Sequence, residues 1–226
     1  MDSAETNSGP FKLRGGAGLL GALVVFQVVA PAAGSLGAGL AANLVVVSYV
    51  GVMVMAMRAV ASRRRTLCWC LILTVPILAG SVISQARESV PGVIVLVLAM
   101  PAVLLVIWSV FGYVLRGSTI DNERLFGAGA VFLLITHLWG GLYAVAELFQ
   151  PGAISHGGSE DPVIAGDLIY FSVVTQTTLG YGDLAPTTAL ARSIASLQSV
   201  TGIFFMGVVV ARIVGPIGSR RQETNR

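Results

Sequence analysis

Residues 167–188 read DLIYFSVVTQTTLGYGDLAPTT. A short apolar run at 167–178 leads into a hydroxyl pair, a Gly-Tyr-Gly, a carboxylate at Asp183 and a Pro-Thr-Thr. A bilayer crossing takes about 20 mostly apolar residues. The run is too short for that, and its length suits a re-entrant half-helix. Apolar stretches long enough to span flank it on both sides. Non-helical backbone at membrane depth persists only where it is buried in protein or lines a watery path. The stretch therefore poses the question of what the carbonyl oxygens of residues 178–182 face.

Working outward, the 226 residues are 55% hydrophobic and 11% charged, against about 25% charged in soluble domains. Six spans are predicted, at 16–33, 36–57, 66–84, 93–115, 125–149 and 188–214. Lys12 and Arg14 precede the first, and Arg58, Arg63, Arg64 and Arg65 follow the second. Arg116 and Arg124 separate the fourth and fifth, and Arg212, Arg220, Arg221 and Arg226 close the chain. With six spans all of these fall on one side, leaving only Arg87 and Arg192 on the other. The positive-inside rule then makes both termini cytoplasmic. Glu147, Glu160, Asp161 and Asp183 fall outside, around the mouth of the re-entrant segment. Residues 15–32 also resemble a signal peptide ending in Ala30-Pro31-Ala32, although Asp2 and Glu5 in the leader are atypical. Cys68 and Cys70 lie two apart on a predicted helix, point to different faces and read as small apolar residues rather than a metal or redox pair.

In the loop itself, Asp167 reads as the N-cap of a short helix, whose negative C-terminal end would favour a cation. Gly180 and Gly182 take positive φ at little cost, so residues 178–182 can aim successive carbonyls to one side. A ring of such carbonyls from several chains replaces a cation's hydration shell, and the Thr178 hydroxyl adds one more ring at the inner end. A plain turn would need one or two glycines, without the hydroxyl pair, the Gly-Tyr-Gly and the aspartate together.

Residues 167–188, with the AVAELF that ends the fifth span and the glycine 19 residues after Asp183, resemble the pore domain of tetrameric potassium channels. The six-span, voltage-gated-like branch of prokaryotic type is the nearest likeness. The resemblance covers about 90 residues, 125–214. It implies potassium ions held at Thr178, Leu179, Gly180 and Tyr181, with Gly182 completing the filter. Thr177, Asp183, Tyr170, Phe171 and Glu147 are implied as its support. Tyr170 and Phe171 stand where the family often has two tryptophans forming a cuff around the filter tyrosine, and Tyr170 has a hydroxyl that can reach Asp183. Ile203, Met206, Val210 and Val214 are implied to line the cavity and gate, with Gly202 as hinge. Close helix packing explains Gly202 and Gly207 equally well. The expected fold is all-α and integral to the membrane: six transmembrane helices plus a re-entrant pore helix and selectivity-filter loop, in a four-fold symmetric tetramer.

The expected organisation is a cytoplasmic N-terminus (1–15), a four-helix membrane domain without voltage-sensor arginines (16–115), a cytoplasmic linker (116–124), a pore domain (125–214) and a cytoplasmic tail (215–226). Within the pore domain the outer helix is 125–149, the pore helix 167–177, the filter 178–182 and the inner helix 188–214. Span 93–115 has no charged residue, whereas a voltage sensor needs fixed charge in the field. Arg63–Arg65 read as a topology anchor or lipid contact. His137 within the fifth span reads as a functional candidate or a neutral histidine bonded between helices, and His156 as solvated. The expected function is passive, potassium-selective conduction that is not steeply voltage-gated. The alternatives are a weakly selective cation channel and a potassium uptake transporter subunit. Neither a nucleophile–base pair nor metal-ligand spacing suggests an enzyme. The expected partners are potassium ions, the lipid bilayer of a plasma membrane and three identical subunits, with no cofactor and no nucleic acid.

Overall fold

A computed structural model describes residues 15–32, 38–60, 92–115, 122–157 and 162–224. The third predicted span, Cys68 and Cys70, Arg63–Arg65, Glu160 and Asp161 lie outside the described residues. Six helices are described: α1 (Gly16–Ala32), α2 (Ala38–Val60), α3 (Gly92–Leu115), α4 (Asn122–Phe149), α5 (Ala165–Gln176) and α6 (Ala189–Thr224). Two short strands, β1 (Ile154–His156) and β2 (Leu184–Pro186), pair antiparallel with Ser155 opposite Ala185. The all-α expectation is corrected by this pair. Three residues are too few for alternating hydrophobicity to mark a strand.

Among the described residues, Asn122–Phe149 and Ala189–Val209 are the helices long and apolar enough to cross a membrane. The first is largely packed inside the chain, and the second is mostly bare. α4 begins earlier than its apolar run because Glu123 and Arg124 extend it at the polar end. α6 continues past residue 214 to Thr224, so the expected separate tail is helical backbone. Hydropathy marks where apolar surface ends, whereas a helix stops where its hydrogen bonding stops.

Two apolar clusters organise the described residues. One joins Leu19 and Leu23 of α1, Met53 of α2, Val106 and Val110 of α3 and Val131 and Leu134 of α4, and reaches Phe205 of α6. The other surrounds α5, with Trp139 and Tyr143 of α4, Leu168 and Phe171 of α5, Ile154 and Leu184 of the strands and Ala191 of α6. The helix ends are tied by polar contacts. Glu123 Oε2 accepts the Gly16 amide at 2.8 Å, capping α1 from the start of α4. Arg124 lies over the Tyr113 ring at 5.2 Å, and Arg212 Nη2 donates to the Leu115 carbonyl at 2.7 Å. The N-termini of α1 and α4, the C-terminus of α3 and the distal half of α6 thus share one end, opposite the strands.

Candidate functional site

α5 starts at Ala165, so Asp167 occupies its third position rather than the N-cap expected for it. From there its Oδ2 accepts the free amide of Ile164 at 2.9 Å, the carboxylate half of a capping box. The same oxygen lies 3.4 Å from His156 Nε2, so His156 is part-buried in a pair rather than solvated. At the other end, Thr177 is the C-cap. The Thr177 amide bonds the Val173 carbonyl at 2.9 Å, the Thr178 amide that of Thr175 at 3.1 Å and the Leu179 amide that of Val174 at 2.9 Å. The last turn of α5 therefore positions the first residues of the extended segment.

That segment alternates in handedness. Thr178, Gly180 and Gly182 have φ of 59°, 57° and 82°, and Leu179 and Tyr181 between them do not share the positive sign. The glycines adopt this region freely. For a β-branched threonine it costs about 1–2 kcal/mol, and the sequence did not single out Thr178 for it. Such alternation can turn successive carbonyls to one side. Leu179 is 53% exposed and Tyr181 70% exposed, and a Cβ built on Gly180 or Gly182 would meet nothing within 4 Å. Within one chain the segment is supported from behind and open in front.

The support behind the outer end is a clasp. Glu147, near the end of α4, accepts the Gly152 amide at 2.9 Å on Oε2 and the Ile154 amide at 2.6 Å on Oε1. The Gly157 amide bonds the Asp183 carbonyl at 2.9 Å, and the Thr187 hydroxyl bonds the Gly152 carbonyl. Tyr170 donates its hydroxyl to Asp183 Oδ2 at 2.8 Å, the contact its position suggested. The Asp183 carboxylate raises the Tyr170 phenol to about 12, mainly by accepting this bond. Phe171 is buried edge-on against Tyr143 at 4.8 Å between ring centroids.

Behind the inner end lies a buried polar network that the sequence reading missed. Gln198 of α6 accepts from the Tyr143 hydroxyl at 2.6 Å, and its Nε2 reaches Ser172 Oγ at 2.7 Å, the Ser172 carbonyl at 2.8 Å and Gln176 Oε1 at 3.3 Å. The Ser172 hydroxyl donates to the Thr136 carbonyl at 2.6 Å, and Gln176 Nε2 to the Phe132 carbonyl at 2.9 Å. Buried polar residues in an apolar helix were the available signal, because each needs a partner. Gly202, one turn beyond Gln198, lies so close to Gln176 that an added Cβ would sit 2.2 Å from its carbonyl oxygen. This packing alone requires a glycine there. α6 runs unbroken through Gly202.

Ile203 and Met206 lie on the bare face of α6, 64% and 52% exposed. Val210 and Val214 follow on the same helix, with side chains outside the described set. His137 is buried beside Phe26 and bonds Leu133 of its own helix at 2.6 Å through Nδ1, rather than a neighbouring helix. The i−4 carbonyl lies within reach of an inward-facing ring, and the cross-helix neighbour is an aromatic with no acceptor. Among the described residues no group of three or more His, Cys, Asp or Glu is placed to hold a metal ion.

Residues 128–217 match a family model described as an ion channel. The chain is 31% identical over 130 residues to potassium voltage-gated channel subfamily KQT member 1 of Squalus acanthias, covering 51% of this chain and 20% of that protein. It is 33% identical over 87 residues to two-pore potassium channel 5 of Arabidopsis thaliana, covering 38% of this chain and 20% of that protein. Two-pore potassium channel 4 of the same plant is 34% identical over 57 residues, 25% of this chain and 20% of that protein. The chain thus spans about a fifth of the length of these relatives. No solved structure matches it.

Proposed function

Because residues 128–217 match an ion-channel family model and stretches of the chain are similar to potassium channels, we propose that it is a subunit of a potassium-selective channel whose filter is residues 178–182. The observation that carries this reading is the alternation of positive φ at Thr178, Gly180 and Gly182 on a segment bare in the single chain. Carbonyls turned to one side are useful when copies around an axis face them inward and replace the ion's water. One chain supplies one such segment, so four copies close the ring as a homotetramer. Potassium ions are the substrate, held between the carbonyls of Thr178, Leu179, Gly180 and Tyr181, with the Thr178 hydroxyl below.

Around the filter, Tyr170, Asp183 and Glu147 hold the outer mouth, Thr177 and Phe171 the inner and rear side. Ile203 and Met206 face the central cavity from the bare side of α6, with Val210 and Val214 continuing toward a cytoplasmic constriction. A ring of apolar side chains there closes the path by dewetting. Gly202 serves as packing point and as the place where α6 can bend. Six spans with both termini in the cytoplasm of a plasma membrane are supported by the twelve basic residues on one side. The shared end of α1, α3, α4 and α6 supports the same topology. α3 carries no charge, so conduction is not steeply voltage-dependent.

Liposomes containing the purified channel test the reading. Potassium efflux should far exceed sodium efflux and vanish with Gly180→Asp, which forces a charged side chain onto a left-handed position within the filter. Equal rates for the two ions would reject the filter assignment.

A further inference from the structure

We propose that Gln198 is a positioning residue for ion selection, fixing the pore-lining helix α6 to the turn of α5 from which the filter springs. The inference rests on the filter reading above and goes beyond it by naming what sets the filter's place. Gln198 is fully buried against its own chain, whereas Ile203 and Met206, further along α6, are largely exposed. It is the meeting point of three helices: Tyr143 of α4 donates to it, and it donates to Ser172 and toward Gln176 of α5.

The direction of these bonds is fixed by counting protons. The Ser172 hydroxyl gives its hydrogen to the Thr136 carbonyl, so toward residue 198 it can only accept. The Tyr143 hydroxyl has one hydrogen and gives it to Oε1. Residue 198 must therefore offer an acceptor on one side and donors on the other, which an amide does and neither a carboxylate nor an apolar chain can. Gln176 is held in turn by the Phe132 carbonyl through Nε2. Gly202 presses its backbone from one turn further along α6.

The position of this network gives it leverage. Gln176 immediately precedes Thr177 and Thr178, and the carbonyls of Val173, Val174 and Thr175 between the two anchor residues take the amides that start the filter. In a lipid environment apolar contact between helices supplies little drive for association, so close packing and buried hydrogen bonds hold them in register. A shift of α6 at Gln198 therefore moves the turn that sets the first carbonyl ring, and a change of ring diameter is read as a change in ion preference.

The test is the potassium-to-sodium permeability ratio, from bi-ionic reversal potentials of the reconstituted channel, for Gln198→Met, Gln198→Glu and Tyr143→Phe, with assembly checked by native mass. Gln198→Met should remain assembled and lose about tenfold in the ratio. The neutral acid of Gln198→Glu keeps one donor and one acceptor, whereas its ionised form would set acceptor against acceptor at Ser172 and Gln176. Its ratio should approach that of the wild type at low pH and fall as pH rises, a dependence that the wild type lacks over the same range. Tyr143 is the titratable group facing residue 198 among the described residues. Tyr143→Phe removes that donor and should lower the ratio about twofold to threefold. A purely scaffolding role predicts reduced yield with an unaltered ratio. Assembled variants with the wild-type ratio at every pH would overturn the inference, and if Gln198→Met fails to assemble, a flat pH profile in Gln198→Glu or an unaltered ratio in Tyr143→Phe does so. A non-selective wild type would instead sink the filter reading, and this inference with it.

Discussion

Tyr170 and Asp183 form a bond whose pH behaviour follows from its chemistry. The phenol is raised to about 12 because the Asp183 carboxylate accepts its proton in the bond. An acid whose folded pKa lies above its usual value of about 10 favours the protonated folded state. Its contribution is complete below about pH 10 and disappears as pH rises through about 12. The clasp should therefore be insensitive to this group between about pH 6 and pH 9. Tyr170→Phe removes the donor and leaves Asp183 one partner short. We expect severalfold faster decline of current under sustained conduction, measured in single-channel or macroscopic recordings. An unchanged time course would show that the other clasp contacts suffice. At this scale the sequence was informative where chemistry is local. The Tyr170–Asp183 contact, the Glu147 brace and the glycines at 180 and 182 were legible. Positive φ at Thr178 was not, because a β-branched residue adopts it only when the surrounding structure imposes it.

Two of the contacts between α5 and α6, at Gln198 and Gly202, lie one turn apart on α6 and both reach Gln176. Gly202→Ala would bring a methyl to 2.2 Å from a backbone oxygen, which cannot yield as a flexible side chain does. Overpacking of this kind costs about 1–3 kcal/mol, so the variant should lose thermal stability of the assembled form and yield altered filter behaviour. A midpoint within a degree of wild type would contradict the packing account. Element boundaries were readable to within a few residues for α1 to α4, whereas α6 runs past its apolar stretch and through Pro216 to Thr224. They were misread where an end is set by hydrogen bonding, as at the N-terminus of α5, which Asp167 caps from inside the helix. The β1–β2 pair was hidden because the residues that form it are too few to carry a period and are 30 residues apart, as in Ser155 and Ala185. The Gln198 network was hidden for a related reason. Its members, Phe132 to Gln198, are scattered over three helices that only the fold brings together.

For the whole molecule, the distribution of charge and of bare surface points the same way. The interior-facing side of α6 packs on its own chain, while Leu197, Val200, Ile203 and Phe204 are largely exposed, leaving that face free for the subunit contacts and central path proposed for it. α3 lacks charge throughout Gly92–Leu115. One elementary charge moved through 100 mV is worth about 2.3 kcal/mol. A channel without such charges should show a shallow conductance–voltage relation in planar bilayers, and a steep curve carrying several gating charges would contradict that. The proposed six-span count and four-fold assembly rest on sequence charge and single-copy logic rather than on any one contact. The central claim is that residues 178–182 choose potassium by their carbonyls. Its most direct test is the reversal potential of the purified, reconstituted channel with potassium on one side and sodium on the other. A potential close to the potassium equilibrium value, lost in Gly180→Asp, is the predicted result; a potential near zero, with the two cations equally permeant, would contradict it.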